Sequence, residues 1–160
     1  MEKLLYIVYD RIVDVAVRIV GIMMIVCILL QIFSRAFFRV PIPWTDELAR
    51  FTFLWFCFLG SVMTLRHKMH LGIDYFESKM GKKSRYINQI FIQVCIIAFG
   101  AILLYEGVQI LGIVAIQKSP ILRLNMRYIY AVLPITGALY FILGIHNLIA
   151  HLGSGKGVAA

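Results

Sequence analysis

Charge is scarce in this sequence. Asp, Glu, Lys and Arg together supply 15% of its 160 residues, against about 25% in an ordinary soluble domain. A chain of 18.3 kDa needs polar surface to cover a core in water, and a mean hydropathy of +0.87 leaves too little of it. A water-soluble enzyme or binding domain is thereby excluded. Cysteine is rare as well. Cys27, Cys57 and Cys95 all lie inside apolar runs, and an odd number at membrane depth excludes a disulfide framework. They are expected to act as small apolar packing residues. No internal repeat, phosphate-binding loop, nucleophile–base pair or redox motif is present. The chain therefore reads as a non-enzyme, with no catalytic residues and no cofactor or metal of its own.

Apolar length is what the sequence does have. Hydrophobic residues make up 61% of the chain, enough for four membrane spans of about 20 residues each. Long charge-free runs cover residues 19–34, 51–65, 86–105 and 129–149. The expected fold is all-α: one transmembrane bundle of four tilted helices over residues 1–152, with spans at about 12–34, 46–66, 86–117 and 128–150. Residues 153–160 are expected to form a mobile cytoplasmic tail. As one helix, residues 86–117 would be about 48 Å long, against a hydrocarbon core of about 30 Å. That helix must tilt, bend or project, and Gly107 and Gly112 are the expected places to bend. Lys3 ahead of an apolar run resembles a secretory signal, but no small-x-small cleavage site follows, so the run is expected to be a retained span.

The net charge of +8 reports orientation. Counted by segment, the N-terminal part carries three basic residues (Lys3, Arg11, Arg18), the first connection with the start of the second span three (Arg35, Arg39, Arg50), the second connection six, the third three and the tail one. With four spans, the N-terminus, second connection and tail share a side that carries ten of the sixteen. The positive-inside rule then places both termini in the cytoplasm. The basic balance thus gives no reason to expect nucleic acid as a partner; lipid is the expected surrounding.

Pro41-Ile42-Pro43-Trp44-Thr45-Asp46-Glu47-Leu48-Ala49-Arg50 is the richest segment. The prolines stop the first helix, Trp44 suits the headgroup level, and Thr45 is expected to cap the second helix by accepting from its free N–H groups. Asp46 and Glu47 then fall in the first turn, where the helix dipole favours negative charge, with Arg50 four residues after Asp46 on the same face. A helix start at the interface explains all of these; a docking edge for another subunit is the functional alternative. Gly60 and Ser61 permit close helix contact, as do Ala98, Gly100 and Ala101 in the third span and Gly137, Ala138 and Gly144 in the fourth. His67, His70 and Asp74 have i, i+3, i+7 spacing, but a metal needs convergent ligands, and Gly72 weakens the helix that would align them. A polar cluster at the turn is the better reading. Glu106 is the only acidic residue well inside an apolar run. Such a carboxylate is a candidate proton or ion site. Its place late in the run favours an ion pair, either with Arg123 or Arg127 or with another subunit.

Three features together resemble the small membrane subunit, DctQ type, of tripartite ATP-independent periplasmic (TRAP) transporters. They are Arg35 followed by Pro43-Trp44-Thr45-Asp46-Glu47-Leu48-Ala49-Arg50; Trp55 followed by Phe58-Leu59-Gly60; and Arg66 followed by His70-Leu71-Gly72-Ile73-Asp74. The resemblance implies a multi-pass protein of the bacterial inner membrane. Its implied partners are a large multispan subunit that holds the sodium and substrate sites and moves as an elevator, and a periplasmic substrate-binding protein that delivers organic acid anions such as C4-dicarboxylates or sialic acids. It implies a scaffolding role for the small subunit, with Arg35, Trp44, Asp46, Glu47, Arg50, Trp55, Gly60, Arg66, His70, Asp74 and Glu106 as candidate partner contacts. The competing expectation is a self-contained proton-coupled four-helix transporter that uses Glu106.

Overall fold

The computed structural model describes residues 6–38, 42–67 and 82–154. Helix α1 covers Asp14–Phe33 and is flanked by wider π-type turns at Tyr6–Val13 and Ser34–Phe38. Helix α2 covers Pro43–Arg66. Helix α3 covers Lys82–Ile113 and closes in a tighter turn at Val114–Ile116. The fourth span is built from two pieces, α4 at Met126–Tyr130 and α5 at Val132–Ser154. Four stretches, Ile7–Phe37, Pro43–Arg66, Ile87–Ile116 and Met126–Ile149, are long and apolar enough to cross a membrane. The protein is thus an all-α, multi-pass membrane protein, the class expected from its hydropathy. Hydrocarbon offers the backbone no hydrogen bonds, so runs this apolar must satisfy their N–H and C=O groups within helices.

Local chemistry sets the helix ends. Ile42 is extended, with φ −99° and ψ 100°, as a residue before proline prefers. Pro43 then takes the first helical position, where a missing N–H is no loss. This corrects the expectation for Thr45. It is not the cap but the third helical residue, and its Oγ1 donates to the carbonyl of Ile42 at 2.7 Å. The break between α4 and α5 at Ala131 precedes Pro134, which cannot donate to the carbonyl four residues back.

The spans pack as a series of neighbours: α1 on α2, α2 on α5, and α5 on α3. The α3–α5 contact is closest, because glycines remove the side chains between the two backbones. A Cβ at Gly137 would lie 2.5 Å from the Leu104 nitrogen, one at Gly107 2.7 Å from the Pro134 nitrogen, and one at Gly100 2.7 Å from the Phe141 nitrogen. Gly144 faces Ile97 in the same seam. Phe99 and Tyr140 meet edge to face across it, 5.7 Å between centroids. Gly107 is a contact point between α3 and α5, and α3 continues as one helix through both Gly107 and Gly112. Gly60 also departs from expectation: no atom lies within 4 Å of where its Cβ would be, so it mediates no close helix contact among the described residues.

The core lies where α1, α2 and α5 converge. Tyr9, Val62, Leu65 and Leu143 form one buried cluster, and Val13, Leu59 and Val132 form another. Only Cys27 of the three cysteines is buried. Cys57 and Cys95 are exposed on the outer faces of their helices, which corrects the expectation that all three serve packing inside the bundle.

Candidate functional site

The polar chemistry of the described residues gathers at the two ends of the bundle. At one end, α2 starts beside the connection that joins α3 to α4. This connection is a small hairpin. Lys118 and Asn125 form an antiparallel bridge, the Ser119 N–H donates to the Leu124 carbonyl at 2.8 Å, and the Met126 N–H donates to the Gln117 carbonyl at 3.0 Å. Asn125 caps α4 by accepting from the Arg127 N–H and donates through Nδ2 to the Ala115 carbonyl, both at 2.9 Å. Arg123 takes a left-handed conformation at the turn, with φ 52°.

Glu47 ties this hairpin to α2. Its Oε2 accepts from the backbone N–H of Leu122 at 2.8 Å and of Ile121 at 3.3 Å. The residue is buried, so the carboxylate replaces water for two turn amides that have no carbonyl partner nearby. Sequence reasoning placed Glu47 in a favourable helix turn but missed this bond, because its partners lie more than seventy residues away. Asp46, one residue earlier, faces outward and accepts from Arg50 at 3.1 Å, the i, i+4 pair expected from the spacing. Trp44 and Arg35 are exposed at the same end. Lys118 and Arg123 on the hairpin and Arg127 in the first turn of α4 are also exposed.

The opposite end holds Arg66, the last residue of α2. Its Nη2 and Nε reach Asp10 at 3.2 and 3.4 Å, and His67 Nε2 lies 3.9 Å from the same carboxylate. Beside them the Tyr9 hydroxyl donates to the Leu139 carbonyl at 2.6 Å, joining the first span to α5. Asp10 and Tyr9 escaped the sequence reading. A signal for Asp10 did exist: it lies at the start of the first span and Arg66 ends the second, and antiparallel neighbours bring such positions together. His70 and Asp74 lie outside the described residues.

The remaining candidates sit along the spans. Trp55 is half-buried against the Val13, Leu59 and Val132 cluster. Gly60 opens onto empty space. Glu106 is exposed on α3, and among the described residues it forms no pair with Arg123, Arg127 or any other cation, so of the two pairings expected for it the intramolecular one is not made there. No group of three His, Cys, Asp or Glu side chains able to hold a metal occurs among the described residues.

Comparison with known proteins bears on what these ends and faces are for. Over 126 residues the chain is 25% identical to the sialic acid TRAP transporter permease protein SiaT of Haemophilus influenzae, covering 79% of this chain and 20% of that protein. Over 107 residues it is 25% identical to the isethionate TRAP transporter permease protein DctMQ of Oleidesulfovibrio alaskensis, covering 66% and 17%. Over 74 residues it is 28% identical to the sialic acid TRAP transporter small permease protein SiaQ of Vibrio cholerae, covering 46% and 43%. The matched part thus spans a fifth or less of the first two relatives. The family model described as tripartite ATP-independent periplasmic transporters, DctQ component, matches residues 24–153. With that match running from α1 to the end of α5, the chain belongs to the DctQ family of TRAP transporter components.

Proposed function

We propose that this chain is the small membrane subunit of a sodium-coupled TRAP transporter for organic acid anions of the C4-dicarboxylate or sialic acid type. It lies in the bacterial inner membrane with both termini in the cytoplasm. It scaffolds a large elevator-type subunit that carries the sodium and substrate sites, and it helps dock a periplasmic substrate-binding protein. The carrying observation is the outer face of α3: only 6% of the most apolar stretch of that span is buried within the chain. An elevator needs a fixed wall against which its moving part slides, and a bundle with uncovered apolar sides is suited to widen one.

The proportions of the relatives support this. In SiaT and DctMQ the matching segment is a fifth or less of the polypeptide, so a far larger permease portion accompanies it. On this orientation the Glu47-bound hairpin and the start of α2 face the periplasm and form the docking rim, and Asp10, Arg66 and His67 face the cytoplasm. The Glu106 carboxylate points away from the bundle, which favours the subunit role over a self-contained transporter that would need it on an internal path.

The test is reconstitution with a cognate large subunit and binding protein. Co-purification of the two membrane chains, and uptake of an organic anion only when all three proteins and sodium are present, is the expected result. Transport by the lone chain that disappears in Glu106→Gln would replace this reading with the proton-coupled one.

A further inference from the structure

Five acidic residues have described side chains, and four of them are answered within the chain. Asp10 meets Arg66, Asp14 meets Arg18, Asp46 meets Arg50, and Glu47 accepts from the Ile121 and Leu122 amides. Glu106 is the exception among the described residues. It stands ten residues before Ile116, the end of the helical rise, which places it about 15 Å along the axis from that end. Ile102, Glu106, Gln109 and Ile113 recur at i, i+4, i+7 and i+11, and so line one stripe. All four are exposed. The stripe lies on the side of α3 opposite the Gly100 and Gly107 seam with α5. Its flanks, Phe99, Tyr105 and Val108, are exposed and large.

A carboxylate on such a face has three surroundings open to it: lipid, water or protein. Lipid penalises it heavily, and intramembrane acids accordingly turn toward protein and pair. Glu106 lies within the apolar stretch Ile87–Ile116 and not at its end, and among the described residues neither Arg123 nor Arg127 pairs with it. From this charge left over on an apolar stripe we infer that the Ile102, Glu106, Gln109 and Ile113 face is covered in the assembled transporter by a transmembrane helix of the large subunit. That helix presents a lysine or arginine to Glu106 and a hydrogen-bonding group to Gln109. The inference rests on the subunit reading above and adds the site and its chemistry. The ion pair fixes the depth and rotation of one subunit against the other, since the apolar residues around it permit sliding and a single buried charge pair does not.

The test uses the whole complex. Glu106→Gln is expected to lower the amount of large subunit retained through purification by about tenfold or more, as loss of one partner of a desolvated pair does. Glu106→Lys should abolish retention, and reversal of one intramembrane Lys or Arg of the large subunit to Glu should restore it. A Gln109→Cys variant, with Glu106 intact, should form a disulfide with a cysteine placed one helical turn from that same cation. Wild-type retention in both Glu106 variants, together with no cross-link from position 109, would overturn the inference while leaving the subunit reading in place. Failure of the unaltered chain to retain the large subunit at all would overturn both.

Discussion

The Glu47 carboxylate accepts a hydrogen bond from the backbone N–H of Leu122 at 2.8 Å, across 75 residues of sequence. One side chain at the start of the second span thereby holds the turn between the third and fourth. The hairpin at that end is a preformed surface and not a loose connection, and its exposed Lys118 and Arg123 keep fixed positions relative to Arg127 of α4.

Replacing Glu47 tests that hold. Glu47→Ala leaves two turn amides without an acceptor, which is expected to cost about 1–3 kcal/mol. The loss should appear locally, as faster amide exchange at residues 119–124. Glu47→Gln keeps one acceptor oxygen and should fall between the two. Exchange rates unchanged in the alanine variant would mean the clamp contributes nothing.

Glycine substitutions separate contact from open space. A Cβ at Gly137 would sit 2.5 Å from the Leu104 nitrogen, and backbone cannot step aside as a flexible side chain can. Gly137→Ala is expected to destabilise the bundle by about 1–3 kcal/mol. Gly60→Ala and Gly112→Ala meet no atom within 4 Å, and each should be neutral or stabilising by up to about 1 kcal/mol through helix propensity. Thermal unfolding in detergent measures both. Equal shifts at all three positions would contradict the seam.

The two ion pairs at opposite ends of α2 should differ in strength. Asp10 and Arg66 are mostly shielded from solvent, whereas Asp46 and Arg50 are exposed. A double-mutant cycle on the first pair is expected to return a coupling of about 1–3 kcal/mol. The same cycle on the second should return about 0–1 kcal/mol. Exchanging the charges, Asp10→Arg with Arg66→Asp, should recover most of the loss from either single change.

Orientation can be read at the two ends of α3. In a chain with Cys27, Cys57 and Cys95 replaced by alanine, Ile116→Cys should react with an impermeant thiol reagent in intact cells whose outer membrane is permeable to it. Ser84→Cys should react only after the inner membrane is opened. Both positions are exposed, Ile116 at 92%. Reaction of both from one side would refute a spanning α3.

Much of the architecture was legible in the residues. The four apolar runs were unmistakable, and α2 ends at Arg66 as expected, since a charged turn is where a span must stop. Its start lay three residues earlier than expected because Pro43 begins the helix itself. The candidate contacts divided less evenly. Asp46 and Arg50 paired as local spacing implied. Gly60 proved open while Gly100, Gly137 and Gly144 proved closed, and all four look alike in sequence as glycines within apolar runs.

The number of spans, the helical state and the helix ends follow from sequence alone. Each depends on neighbours a few residues apart: apolar run length, a proline's missing N–H, a charge that cannot enter hydrocarbon. Tertiary structure alone decided that α1 packs on α2, α2 on α5 and α5 on α3. It also decided that Glu47 finds two backbone amides, that Asp10 finds Arg66 and that Glu106 finds no one among the described residues. Those outcomes depend on which helix faces meet in space, and apolar faces of similar composition carry too little local information to specify it. The scarcity of acidic residues thereby gained a meaning: among the described residues four are answered internally, and the fifth, Glu106, is where we infer a partner's contact.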